Sequence, residues 1–514
     1  MKAAQDLLQH LATLGVSACF ANPGTSEMHL VAALDAAPAI RPILCLFEGV
    51  ATGAADGFGR MRGAPALTLL HLGPGLGNGL ANLHNAWRAR TPIVSLIGEH
   101  ATYHRANDPP LASDIAALAR PVSAWQKTVE SADALTALGA EAFDAACRQG
   151  PAALILPADV AWSDAPQTKP AAATRVGDSA WGARLDAAAA ALRAKPSVLL
   201  IGGRHLSARA CDAAARIAAA TEARVLVETF PARIARGAGR PAFARLPYLT
   251  EMAVGLLADA ATIVGVGALA PVAFFALPGR ATRLAPEAAQ FLQLSEKTDD
   301  SEAVLEALAE ALGAKPLATQ RAPERPAPPS ADTPLDPLAL AQVIAATLPE
   351  NGIVTDESIT LGSGVFDMAA AAAPHDWLTL TGGAIGLGLP LATGAAVACP
   401  ERRVVALQAD GSALYTIQAL WTQAREQLNV TNVILNNGAY AILSLELMRT
   451  GVTNDSHAAR ELFDLTRPTI DFCSVARGFG MPAVQVRSAH ELADALRRSF
   501  ATPGPMLIEA MFSR

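Results

Sequence analysis

Positive charge is in short supply in this chain. Lys and Arg number 40 against 47 Asp and Glu, a net charge of −7, and no short stretch concentrates basic residues. This argues against a nucleic-acid partner, whose phosphates need clustered Lys and Arg. Cysteine is sparse too: Cys19, Cys45, Cys147, Cys211, Cys399 and Cys473 are scattered, with no CxxC pair. A disulfide framework or a structural zinc site is not expected, and a reducing, cytoplasmic setting fits. Uninterrupted apolar spans are also missing. Residues 260–279 and 377–400 carry no charge, but Gly265, Gly267 and Pro271 break the first, and five glycines and Pro390 break the second. Buried strand–turn–helix segments explain them better than membrane spans. Gln5, Asp6, Gln9 and His10 interrupt the N-terminal stretch, which reads as an amphipathic helix rather than a signal peptide.

What the chain does have is apolar bulk. Of 514 residues, 51% are hydrophobic and 17% charged, enough for about three domains with sizeable cores. Residues 164–179 and the Pro-rich residues 315–337 read as linkers. They set off residues 1–165, 180–314 and 338–514 as domains. In the first, VSACF, ILCLF, ALTLLH and IVSLIG are short apolar runs. The middle has SVLLIGG, ARVLVET and ATIVGVG, and the last has GIVTDE, RVVALQAD, VTNVILNN and PMLIEAMF. Helical stretches separate these runs. An α/β fold is expected, with a central, mostly parallel sheet flanked by helices in each domain.

The strongest chemical signal lies in the last domain. The strand at residues 403–409 ends in Asp410-Gly411-Ser412, a helical stretch follows, and the next strand ends in Asn436-Asn437-Gly438-Ala439-Tyr440. A strand–helix–strand crossover puts both ends at the carboxyl edge of a parallel sheet, where ligands bind. Asp410 offers a charged oxygen, Asn437 an amide oxygen, and the backbone near Ala439 a carbonyl. Such hard ligands suit Mg2+ and leave room for a diphosphate. Gly411 and Ser412 open a helix whose N–H groups can also face phosphate. Each turn alone would pass as an ordinary Asp-Gly or Asn-Gly turn; the pair at this spacing reads as a metal–diphosphate site.

This segment resembles the GDG…NN cofactor motif of thiamine diphosphate enzymes, with Ala409 in place of the first glycine. The resemblance runs along nearly the whole chain and is nearest the benzoylformate decarboxylase and acetolactate synthase branch. It implies a pyrimidine-binding first domain, a middle domain, and a last domain that binds diphosphate and Mg2+. Thr381-Gly382-Gly383-Ala384-Ile385-Gly386 is similar to the family's glycine-rich turn, whose bulky aliphatic residue wedges under the cofactor; Ile385 matches it. A plain turn with a core Ile is the simpler alternative. Gly383, Ile359, Thr360, Ser412 and Tyr440 match other positions lining the cofactor. Glu48, in FEGVATGAADGFGR, reads on spacing alone as a helix-capping acid. The resemblance makes it the glutamate that hydrogen-bonds the aminopyrimidine and promotes formation of the C2-ylid. In the family that glutamate meets cofactor held by another subunit, which implies a homodimer or homotetramer.

The resemblance also outlines a substrate pocket. Asn22-Pro23-Gly24-Thr25 matches a loop facing the thiazolium, with Thr25 where benzoylformate decarboxylase has a serine that touches substrate carboxylate. A Pro-Gly turn with a capping Thr is the alternative. His71, before what reads as a flexible Gly-rich loop, LGPGLGN, matches that enzyme's active-site histidine, although a lone histidine is more often structural. The second active-site histidine is replaced by Phe274. Leu443 is apolar as in the decarboxylase, and Glu446 stands where that enzyme has an aromatic residue. Facing inward, Glu446 would repel anions or act in acid–base chemistry; facing outward, it would do neither. SVLLIGGRHLSA is not a GxGxxG loop, so FAD is not expected on the middle domain.

The expected activity is Mg2+-dependent decarboxylation or carboligation of a 2-oxo acid. An acetolactate synthase joining two pyruvates is the runner-up. A catalytically reduced cofactor-binding paralogue is a third reading, against which Glu48 speaks. A nicotinamide dehydrogenase lacks its fingerprint loop.

Overall fold

A computed structural model describes residues 1–165, 181–317, 324–330, 333–451 and 456–513. Most of the first predicted linker and part of the second lie outside the described residues. The first sheet contains β1 (Ala18–Asn22), β2 (Arg41–Leu44), β3 (Ala66–Leu70), β4 (Ile93–Glu99), β5 (Trp125–Thr128) and β6 (Ala152–Pro157), in spatial order 2-1-3-4-6-5. All its pairings are parallel. β3, β4 and β6 are buried throughout, as expected of strands covered on both faces. The N-terminal helix, Ala3–Thr13, packs its Leu7, Leu8 and Leu11 into the core on one face of this sheet.

The second sheet holds β7 (Ser197–Ile201), β8 (Arg224–Val227), β10 (Ala244–Arg245), β11 (Thr262–Val266) and β12 (Gln290–Ser295), ordered 10-8-7-11-12 and parallel. The third holds β13 (Gly352–Glu357), β14 (His375–Thr379), β15 (Val404–Ala409), β16 (Val430–Asn436), β17 (Ala483–Val486) and β18 (Met506–Met511). Its order is 17-18-16-15-13-14-9, with β9 (Ile234–Arg236) reaching across from the middle segment to pair antiparallel with β14.

In the first sheet the order reverses between β1 and β3, and in the third between β13 and β15. Ligands bind beyond the carboxyl ends of strands at such switch points. Pro23–Ser26 and His71 therefore cluster at one, and Ser358–Thr360 and Asp410 at the other.

The first and third units pack through helices. Glycine is required at their crossing, because a Cβ on Gly57 would stand 2.1 Å from the Leu391 carbonyl oxygen, and one on Gly394 would stand 1.7 Å from that of Ala54. Helix Glu48–Arg62 thus lies almost backbone to backbone on helix Gly388–Ala398. Near its end, Arg60 forms a fully buried ion pair with Asp56. Its guanidinium also donates to the carbonyls of Thr379 (2.7 Å) and Ala232 (3.2 Å) and to the Thr381 hydroxyl (2.9 Å). A buried pair of this kind earns its desolvation only through such added hydrogen bonds. Here they join all three units at one side chain.

Candidate functional site

At the end of β15 the chain enters a single helical turn, Asp410–Ala413, and resumes as helix Ala419–Arg425. The continuous helix expected after Gly411 is thus two short pieces. Asp410 is 4% exposed. Its Oδ1 accepts from Gly411 N at 2.8 Å, and its Oδ2 from Asn437 N at 3.1 Å and Gly438 N at 2.8 Å. Burial holds its carboxyl above the usual range, against the pull of these backbone donors. The Asn437 Oδ1 accepts from Ala439 N. Tyr440 lies over Gly411, where a Cβ would come within 2.3 Å of its ring, so no larger residue fits. Ala409 has φ −71° and ψ 149°, an extended conformation open to any residue. Alanine in place of the motif's first glycine therefore costs no strain.

Asp410, Gly411, Ser412, Asn437, Ala439 and Tyr440 line one pocket with Ile359, Thr360, Ile385 and Ala409. The pocket's free volume is about 60 Å³. A carboxylate, an amide oxygen and backbone carbonyls are the donor set that a hard divalent cation takes, so the residues fit a metal-held diphosphate. Ile359 has φ +52°, an outlier for a β-branched residue and worth on the order of 1–3 kcal/mol of strain. Strain of this kind gathers at binding sites.

Glu357, the last residue of β13, was not among the sequence candidates. It is buried, and its two oxygens accept from Gly386 N (2.6 Å) and Gly388 N (2.5 Å), on either side of Leu387. This clamps the glycine-rich turn immediately after Ile385. Burial pushes its carboxyl up to about 7, with those hydrogen bonds pulling the other way. Gln408, which donates to Ser412 Oγ at 2.5 Å, links this clamp to the Asp410 turn. The sequence signal was an acid closing an apolar strand, the same signal that marked Asp410. Across the turn, Asn85 Nδ2 donates to the Ala384 carbonyl, and its Oδ1 accepts from Gly382 N.

Glu48 and His71 do not line this pocket; they stand at the ends of the first sheet. β2 stops at Leu44, earlier than expected, and Phe47 caps the helix that Glu48 begins. Glu48 is 6% exposed, and its Oε2 accepts from Asn78 Nδ2 at 3.0 Å. His71 directly follows β3. The segment after it, expected as a flexible loop, is instead the start of helix Leu72–Ala89. Its glycines permit close contact. A Cβ on Gly75 would lie 3.3 Å from both Glu48 Oε1 and His71 Cβ, and one on Gly79 would lie 2.9 Å from Thr52. The His71 Nδ1 sits 2.9 Å from Glu27 Oε2 and 3.1 Å from Ser26 Oγ, and Gly24 packs against the ring. Pro23 and Thr25 are exposed at the mouth of this cluster.

Phe274 lies against Gly383, where a Cβ would come within 2.5 Å of its ring. With Phe230, Tyr248 and Thr381 it lines a second cavity of about 190 Å³. The Phe274 and Tyr248 rings are 5.3 Å apart. Tyr248 OH donates to Glu446 Oε1 at 3.2 Å, and Arg449 Nη1 binds both Glu446 oxygens at 2.7 and 2.9 Å. Burial, followed by Glu446, pushes the Tyr248 hydroxyl up to about 12. Glu446 thus faces Tyr248, but as a paired carboxylate. It is neither a bare anion in the pocket nor an outward-facing side chain. Leu443, on the same helix, is 42% exposed.

Fold and strand-end sites define a three-sheet α/β enzyme, and comparison with known proteins says which kind. Residues 1–119 match the thiamine pyrophosphate enzyme N-terminal TPP binding domain, and residues 362–510 match the C-terminal TPP binding domain of the same enzymes. A Mycobacterium tuberculosis protein, provisionally named acetolactate synthase large subunit IlvX, is 51% identical over 517 residues, with 99% of each chain covered. Benzoylformate decarboxylase of Pseudomonas aeruginosa is 30% identical, with 96% of each covered. The solved structure of a Rhodococcus jostii thiamine diphosphate-dependent 4-hydroxybenzoylformate decarboxylase superposes with a TM-score of 0.85 at 25% identity, covering 100% of this chain and 99% of that one. The chain belongs to the thiamine pyrophosphate enzyme family, in the group that holds 2-oxo acid decarboxylases and acetolactate synthases. No helix among the described residues is long and apolar enough to cross a membrane.

Proposed function

We propose that the chain binds thiamine diphosphate through Mg2+ held by Asp410, Asn437 and the Ala439 carbonyl, and uses it to decarboxylate a 2-oxo acid. The acyl carbon, left with the bonding pair when CO2 departs, either takes up a proton and leaves as an aldehyde or adds to an acceptor carbonyl. The observation that carries this reading is the convergence of Asp410 and Asn437 on one pocket above Ile385. When bound, the cofactor supplies a nucleophilic carbon and an electron sink for the bond to CO2.

The chain's own residues divide the remaining work. Ile385, Ile359 and Thr360 support the cofactor's middle, and Gly383 its pyrimidine end. Ser412 and Gly411 stand beside the diphosphate. Glu48, buried at its helix start, holds or shares a proton with a ring nitrogen of cofactor bound to a partner chain, so the active unit is a homodimer or larger, such as a homotetramer. Thr25 offers a hydroxyl to the substrate carboxylate, and His71 handles protons at the reacting carbon. Phe274 and Leu443 give the pocket apolar walls. With Glu446 paired and Phe274 in the place of a second histidine, His71 works alone on product protonation. That favours ligation as a competing outcome. No flavin enters this reading. A cytoplasmic location fits the unpaired cysteines.

A second reading, acetolactate synthesis from two pyruvates, is favoured by the name of the 51% identical relative. One assay separates the two. Protein with thiamine diphosphate and Mg2+ is given aliphatic and aromatic 2-oxo acids, with and without acceptor aldehydes, and CO2, aldehyde and acyloin are measured. Acetolactate from pyruvate alone selects the second reading. No turnover of any substrate despite cofactor binding rejects both.

A further inference from the structure

We propose that Glu27 is the positioning residue for His71: it fixes the proton on Nδ1 and so turns Nε2 toward the reacting carbon. This rests on the reading of His71 as the group that handles protons there.

Glu27 is 1% exposed, and three donors converge on its two oxygens. Gly24 N donates to Oε2 at 2.9 Å, Ser26 Oγ donates to Oε1 at 2.6 Å, and His71 Nδ1 lies 2.9 Å from Oε2. A carboxylate only accepts, so the hydrogen between Oε2 and Nδ1 must come from Nδ1. Ser26 Oγ also stands 3.1 Å from Nδ1. Its single hydrogen is committed to Glu27, so toward Nδ1 it too can only accept. Both neighbours of Nδ1 therefore demand a proton on that atom. Nε2 makes no hydrogen bond to any described residue, and the His71 side chain is 21% exposed. Nε2 is thus the nitrogen left for substrate, an acceptor when the ring is neutral and a donor when it is charged.

The surroundings are shaped around this carboxylate. A Cβ on Gly98 would lie 1.7 Å from Glu27 Oε1, and one on Gly24 would lie 2.1 Å from His71 Nδ1. Gly98 lies near the end of β4 and Gly24 follows β1, and a side chain on either would displace the acid or the ring. Leu72, the residue after His71, has φ +51°. Strained backbone thus adjoins the histidine that Glu27 grips. The simpler role for Glu27 is to cap the turn through Gly24 N, and that role would not need His71 at all.

The test uses holoenzyme with thiamine diphosphate and Mg2+ and reads two things. Nitrogen-15 spectra of histidine-labelled wild type, assigned with His71→Asn, should show His71 as the Nδ1–H tautomer or with both nitrogens protonated. An Nε2–H tautomer overturns the proposal, whether or not any substrate turns over, which keeps it separate from the activity reading. Glu27→Gln should keep cofactor affinity while kcat falls on the order of 100-fold. Product should shift from aldehyde toward acyloin, and Glu27→Asp should recover part of the loss. Combined with His71→Ala, Glu27→Gln should cost nothing further. Unchanged kcat and product ratio in Glu27→Gln, or losses that multiply in the double variant, would mean that the acid only caps its turn.

Discussion

At the scale of single residues, two carboxylates carry opposite expectations. Glu48 stands at a helix start with Asn78 as its hydrogen-bond partner. Glu48→Gln keeps the shape and the hydrogen bond but cannot share a proton. It should lower turnover by a factor on the order of 100 or more, with metal-dependent cofactor binding retained. Steady-state kinetics beside a binding titration check both halves, and unchanged activity would remove Glu48 from its role. Glu357 is a matter of stability. An unfolded glutamate titrates near about 4.3, whereas this one is raised to about 7. Between those values the folded chain holds a proton that the unfolded chain has lost. Its contribution is therefore full below about pH 4 and disappears as pH rises through 7. Glu357→Gln should flatten this part of the profile, read as the difference between variant and parent denaturation midpoints from pH 4 to 8. Asp410 and Glu48 stood out as candidates because each sits in a motif, and the structure places Asp410 just after β15 and Glu48 at a helix start. Glu357 was not, because its partners are the N–H groups of Gly386 and Gly388, distant in sequence, and no spacing rule joins them.

At the scale of elements, glycine misled where it looked most informative. LGPGLGNG carries every local mark of a loop and folds as the start of a helix, since its glycines admit Ser113, Glu48 and Thr52. Helix Gly388–Ala398 shows the same effect between units, where no side chain fits beneath Gly394. Gly394→Ala should destabilise the protein by about 1–3 kcal/mol or more through overpacking. Thermal unfolding should show that loss, while Gly15→Ala, which meets no neighbour but has φ +100°, should show strain only. Strands followed a plainer rule. ALTLLH, IVSLIG and RVVALQ are buried on both faces and read as unbroken apolar runs. WQKT, IAR and AVQV escaped notice. WQKT and AVQV run along sheet edges with polar residues exposed, and IAR is three residues borrowed from another segment.

At the scale of the whole molecule, the two halves of the proposed active site sit at different sheets of one chain. Asp410, Asn437 and Ile385 share a pocket that Glu48 and His71 do not line. If Glu48 serves cofactor bound to a partner chain, Glu48→Gln and Asp410→Ala damage different sites of a mixed dimer. Each protein alone should be inactive, and subunits exchanged between them should regain activity through the one site that keeps both residues. Failure to complement in a dimer shown to be mixed would place Glu48 and Asp410 in service of the same cofactor within one chain. The three-unit architecture was legible from alternating strand and helix patterns, and so was the resemblance. The joint at Arg60 was not, because it depends on carbonyls of Thr379 and Ala232 that only the packed units bring together.

The most direct test of the central claim is a calorimetric titration of thiamine diphosphate into the protein, with Mg2+ and then with chelator, repeated on Asp410→Ala. Tight binding is expected only in the presence of metal, with a loss of at least tenfold in affinity in the variant, about 1.4 kcal/mol. Equal affinity with and without metal, or an Asp410→Ala protein that binds as the parent does, would contradict it.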